Sequence, residues 1–292
     1  MAKEEKHKRP MPRIYQMCSL GTLMGYGSKK NGEWPVEEKL RRIKKAGFDG
    51  FTGRVTMVDR KQIEKSGLRF VATSDMGGAK EVMPKLSALQ DLGARCVNVQ
   101  MLDHDTPTRQ AVALARKVMA GADKLEFDVS IEVHRDTCTE TPEKAYALAA
   151  GFEKAEGRPL KMTWDFSHPA VVKHLSPPYW DRLAERPDLI KLANQFHFRP
   201  FNGHHAQIPV LNAKGKQTPE FVDFMEFAER VLGCWLETAT PGRELFACPE
   251  QIAGGYELST FPDRFTDARE IAAALRKAFK RQLKSWSPPA SA

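Results

Sequence analysis

The stretch Val129-Ser-Ile-Glu-Val-His-Arg-Asp-Thr-Cys-Thr-Glu-Thr141 decides how the chain folds. Val129, Ile131 and Val133 alternate with Ser130, Glu132 and His134, a period of two that puts aliphatic groups on one face of a strand and polar groups on the other. Thr141, Pro142 and Glu143 follow as a capping residue, a first-turn proline and a first-turn acid, so a helix starts there. A strand that ends in a carboxylate and an imidazole and feeds a helix is where parallel α/β proteins put their chemistry.

The same alternation extends in both directions. Before it, strands are predicted at 14–20, 48–51, 69–74 and 95–101, with helices at 34–47, 58–66, 84–92 and 108–122. After its own helix at 142–154, strands at 160–165, 194–199 and 244–248 are followed by helical stretches at 188–193, 219–236 and 267–284. Crossovers of this length require parallel pairing of right-handed units. Eight such units predict one α/β domain, a (β/α)8 TIM barrel over residues 14–284, between a basic tail at 1–13 and a short tail at 285–292.

Composition agrees with a single large core, since 41% of the 292 residues are hydrophobic. No run of about 18 apolar residues is present, and the first ten residues lack the apolar stretch of a secretory signal, so a cytoplasmic protein without a membrane partner is expected. Cys18, Cys96, Cys138, Cys234 and Cys248 are scattered and form no C-x-x-C pair, which argues against a disulfide framework or a thiolate zinc site. The net charge of +8 resides at the ends, with +3 in residues 1–13 and +5 in residues 276–292. The body of the barrel is formally neutral, and a nucleic-acid partner is not expected. Phe221, Phe224 and Phe227 read as core or interface packing, leaving a homo-oligomer open.

The last four strands end at Glu132, Asp165, His197 and Glu250, with steps of 33 and 32 residues between the first three. That is about one strand–helix unit each, so the groups come together on one rim. Three clustered carboxylates repel unless a cation joins them or their pKa values rise. Two features extend the set: His134 lies two residues beyond Glu132, and Arg199 two beyond His197, so both face the same mouth. Oxygen donors with one imidazole suit Mn²⁺, Mg²⁺ or Co²⁺, with Zn²⁺ a further candidate.

I-E-V-H at 131–134, W-D-F-S-H at 164–168, Q-F-H-F-R at 195–199 and C-P-E-Q at 248–251 resemble the xylose isomerase-like barrel superfamily, over about residues 14–284. That group comprises sugar isomerases and epimerases together with endonuclease IV. The resemblance implies that Glu132, Asp165, His197 and Glu250 hold one divalent ion, with Glu244 and Glu257 competing for the fourth place. It further implies that Glu132 and Glu250 act as bases and that His168 binds a substrate hydroxyl. The implied activity is isomerisation or epimerisation of a ketose or related sugar through a metal-stabilised enediolate. His134 and Arg199 are further candidates for substrate binding, and an extra imidazole there also allows elimination from an oxo-sugar, a 3-oxo-glycoside or a dehydroshikimate-like acid. An endonuclease IV-like activity and an inactive binding barrel rank below these. The former needs an Asp-x-His pair after the seventh strand, where this chain has Asn202-Gly203-His204-His205.

Overall fold

The computed structural model describes residues 10–28, 30, 32–260 and 263–289, so most of the expected N-terminal tail and the last three residues lie outside it. Strands β1 (Arg13–Ser19), β2 (Gly50–Arg54), β3 (Arg69–Met76), β4 (Val97–Met101), β5 (Val129–Val133), β6 (Met162–Asp165), β7 (Gln195–His197) and β8 (Glu244–Cys248) pair in parallel and in sequence order. β8 closes the barrel on β1, in register from Arg13 opposite Glu244 to Gln16 opposite Ala247. The (β/α)8 expectation therefore holds.

Helices α1 (Val36–Lys45), α2 (Arg60–Ser66), α3 (Val82–Asp91), α4 (Thr108–Leu125) and α5 (Pro142–Glu156) cover the first five strands. Local chemistry sets their ends. Asp59 caps α2 by accepting from the Gln62 amide, and Thr141 caps α5 by accepting from that of Lys144. Both helices stop at glycines in the left-handed region, Gly67 and Gly157, which have φ of 64° and 67°. Between β6 and β7 the helical piece predicted at 188–193 is α8 (Pro187–Leu192), and two further short helices, α6 (Ser167–Val172) and α7 (Trp180–Leu183), precede it, so three short helices fill this crossover. Pro177, Pro178 and Pro187 account for the division, because proline cannot donate within a continuing helix. α9 (Pro219–Leu236) and α10 (Arg264–Gln282) complete the ring, and a small hairpin pairs Gly27–Ser28 with Gly32–Glu33.

The alternation in β5 has a consequence that differs from an ordinary half-exposed strand. All five of its residues are buried, because the side chains that face away from the helices fill the barrel interior. Ser130 lies 2.6 Å from Thr163 of the adjacent strand, and Tyr15, Met17, Val71, Cys96, Phe246 and Cys248 form a buried apolar cluster elsewhere in the barrel. On the outer side, Phe227 of α9 meets Phe166 edge-on at 4.9 Å and packs on Phe201 and Tyr179. Phe221, Phe224 and Phe227 are all buried within the chain, so the aromatic stripe is core. Part of the C-terminal positive charge ties α10 to its neighbours: Arg276 donates to Asp49 at 2.8 Å and Arg281 pairs with Glu229 at 2.5 Å. Among the described residues no helix is long and apolar enough to cross a membrane.

Phe227 supports Phe166, the residue that follows Asp165. Phe227→Ala should destabilise the protein by about 3–5 kcal/mol, read as a lower urea midpoint with an unchanged m-value.

Candidate functional site

Glu132 and Asp165, at the carboxyl end of the barrel, each spend one oxygen on hydrogen bonds to the scaffold and present the other. Glu132 Oε2 accepts from Asn98 Nδ2 at 2.5 Å and from Gln100 Nε2 at 2.9 Å, and Asn98 is itself oriented by Thr73, which donates to its Oδ1 at 2.9 Å. Glu132 Oε1 is left to face His197 Nδ1 at 2.8 Å. Asp165 Oδ1 accepts from the Ser167 amide at 3.0 Å and hydroxyl at 2.6 Å, whereas the buried Oδ2 has no hydrogen-bond donor. One ligand atom from each of Glu132, Asp165 and His197 lies within 4.8 Å of the others, and all three residues are buried. His197 Nδ1, although close to Glu132, lacks the alignment of a hydrogen bond.

Glu250 stands at the edge of this group. Its Oε2 lies 3.5 Å from His197 Nδ1 and is ion-paired with Arg199, whose Nη2 is also 3.1 Å from Asp165 Oδ2. The charged groups thus form a sequence of alternating sign: Glu132, His197, Glu250, Arg199, Asp165. Burial works to raise the Glu132 pKa, but the His197 imidazolium and its other partners bring it down to about 2. Burial likewise disfavours the imidazolium, yet Glu132, Glu250 and Asp165 lift His197 to about 9. Asp165 is lowered, because Arg199 and His168 outweigh its desolvation, and buried Arg199 is raised by Asp165 and Glu250. His168 goes the other way: burial dominates over the nearby Asp165 and keeps it neutral.

The other predicted residues can now be placed. Of the three acids competing for the fourth position, Glu244 lies at the opposite end of β8 and accepts from Tyr15 Oη at 3.1 Å, and Glu257 is ion-paired with Arg264. Only Glu250 reaches the cluster. His134 sits just beyond β5 with its ring centroid 4.4 Å from that of His168, which in turn lies 3.3 Å from Asp165 Oδ2. His134 Nδ1 is 2.7 Å from the Arg135 carbonyl, which can only accept, so Nδ1 is the donor of that hydrogen bond. His204 and His205 form an exposed turn, their amides donating to Asn202 Oδ1 at 2.9 and 2.8 Å, outside the cluster. The exposed His104 belongs with Asp136 and Glu140 instead.

Three residues of the site were not singled out in the sequence. Asn98 and Gln100 lie on β4 as ordinary alternating polar positions; only closure of the barrel brings them to Glu132. Tyr256 follows Gly254 and Gly255 in the loop after β8. Its ring lies against the guanidinium groups of Arg199 and Arg135, at 4.2 and 4.5 Å, and its buried hydroxyl has no partner. A lone tyrosine beside two glycines in that loop was the available signal. A pocket of about 400 Å³ opens beside the cluster, lined by Gln100, Asp103, His134, Arg135 and Thr137 among others.

The architecture has many relatives among solved structures. A D-allulose 3-epimerase from a Methylomonas species superposes with a TM-score of 0.58 at 12% identity, over 94% of this chain and 99% of that one. A xylose isomerase-like TIM barrel protein from Mycobacterium smegmatis, in complex with magnesium, gives 0.54 at 15% identity over 94% and 98% of the two chains. The fold is that of the xylose isomerase-like barrels. A probable 3-DHS dehydratase from Bacillus anthracis gives 0.52 at 11% identity, over 92% of this chain and 99% of that one. No protein-family model matches the sequence, and no curated protein does.

The charge sequence predicts a pH profile for protein kept in chelator. His197 is raised from 6.5 to about 9, so the stability it contributes is fully present below pH 6.5 and lost as pH rises through about 9. Glu132 is lowered from 4.5 to about 2, so its contribution is present above pH 4.5 and lost as pH falls through about 2. Thermal melts should therefore show the midpoint falling between pH 6.5 and 9 in the wild type. The fall should be clearly shallower in His197→Gln; parallel profiles would contradict this account.

Proposed function

We propose that this chain is a divalent-metal-dependent enzyme that isomerises or epimerises a ketose or related sugar derivative. The observation that carries the reading is the buried group of Glu132, Asp165 and His197, in which the outward Asp165 oxygen and the His197 nitrogen have no hydrogen-bond partner. Buried polar atoms without a hydrogen bond are uncommon, and these two, held only by ion-pair contacts such as those with Arg199 and Glu132, converge with a carboxylate as the donors of a cation site would. The donors fit Mn²⁺, Mg²⁺ or Co²⁺, with Zn²⁺ also compatible. The ligands would be Glu132 Oε1, Asp165 Oδ2 and His197 Nδ1, with Glu250 as the fourth. A magnesium complex among the structural relatives supports the same reading.

A divalent ion bound there would polarise a substrate carbonyl and ease removal of a proton from the adjacent carbon. The chain's own residues divide the remaining tasks. Glu132 has one oxygen fixed by two carboxamides, and His197 outweighs its burial to hold it well below the usual carboxylate range, so it is a weak base at neutral pH and serves as charge and anchor. Proton handling falls to Glu250, whose side chain is 13% exposed at the mouth, and to His134 through Nε2. These two follow β8 and β5, which are separated around the barrel by β6 and β7. They therefore flank the Asp165–His197 side from opposite directions, as removal and return of a proton on two faces requires. His168 and Arg199 are the substrate-binding candidates, with the adjoining pocket large enough for a sugar.

A second reading is elimination from an oxo-sugar or a dehydroshikimate-like acid. It is favoured by the His134 imidazole against His168 and by the structural likeness to a probable 3-DHS dehydratase. The two are separated by incubating Mn²⁺-loaded protein with ketoses, 3-oxo-glycosides and dehydroshikimate in deuterated water. Deuterium entering carbon without loss of a group is the expected result, whereas released water or aglycone selects elimination. Metal analysis after chelation and reloading should give about one ion per wild-type chain and far less for Asp165→Ala; equal contents would remove the metal centre.

A further inference from the structure

The oxygens a metal ion would need are those that Arg199 already holds. Asp165 Oδ1 is occupied by Ser167, which leaves Oδ2 for a cation, and Arg199 Nη2 lies 3.1 Å from it. Glu250 Oε2, the oxygen near His197, is hydrogen-bonded to the same Arg199 nitrogen. Arg199 is buried, and its Nε and Nη1 have no partner, so its place rests on these two carboxylates and on the Tyr256 ring. A guanidinium and a divalent ion that share acceptors also repel each other.

We propose that Arg199 is an internal counter-ion that competes with the metal for Asp165 and Glu250, and so sets the metal affinity of the site. The proposal rests on the metal-centre reading above. Loading requires the guanidinium to release Asp165 Oδ2 and Glu250, and its freed N–H groups then face the pocket as donors for a substrate oxygen. Metal occupancy and substrate recognition are thereby coupled through one side chain.

Calorimetric titration of chelator-stripped protein with Mn²⁺ tests this without reference to turnover. Arg199→Met should bind Mn²⁺ about tenfold or more tightly than the wild type. Wild-type protein that binds Mn²⁺ while Arg199→Met binds it equally or more weakly overturns the role given to Arg199 and leaves the metal centre standing. Wild-type protein that takes up no Mn²⁺ overturns both. Should Arg199→Met fail to fold in chelator, Arg199→Lys decides: it keeps the charge on a shorter ammonium without the guanidinium fork. Tighter binding than wild type supports the competition, and equal or weaker binding overturns it.

Discussion

Repulsion among Glu132, Asp165 and Glu250 is the constraint around which the carboxyl end of this barrel is built. Removing three carboxylates from water is costly, and their mutual repulsion adds to that cost. The structure answers by interleaving His197 and Arg199 between them, so that every acid has a cation beside it. The same arrangement explains why His197 is raised and Glu132 lowered although burial pushes both the other way. On the proposed metal-centre reading, a bound ion would have to displace the grip of Arg199 on Asp165 and Glu250.

The scaffold makes this arrangement reproducible. Asn98 and Gln100 on β4 lock one oxygen of Glu132, and Ser167 at the start of α6 locks one of Asp165. The free oxygens are thereby aimed inward rather than left to rotate. Behind them, Trp164, Phe166, Phe196 and Phe227 form an aromatic layer that seats β6 and β7 against the outer helices. Rigid strand ends carry the acids, while the loops after β5 and β8 bring His134 and Tyr256 to the mouth.

Much of this was legible in the chain. The eight-unit alternation and the strand ends at Glu132, Asp165 and His197 follow from local periodicity, because side-chain direction in a strand depends only on parity. The region between β6 and β7 was read less well: the helix expected at 188–193 is there as α8, but α6 and α7 before it were not foreseen, because prolines keep them short and short helices leave little periodic signal. Glu250 could not be separated from Glu244 and Glu257 by pattern, since all three flank one strand. Distance to His197 separates them. Alternation assigned a polar face to β5, and closure of the barrel makes that face interior, with all five residues buried.

Sequence by itself determined the barrel, the order of its strands and the identity of the acids and imidazoles at their ends, because these depend on period, helix caps and spacing within single units. Tertiary structure alone decided the partnerships. Asn98 is 34 residues from Glu132, and Arg199 is 51 from Glu250. No local pattern encodes a contact across that separation; closing the sheet creates it. Whether Arg199 faces solvent or sits buried among carboxylates therefore becomes visible only once β6, β7 and β8 lie side by side.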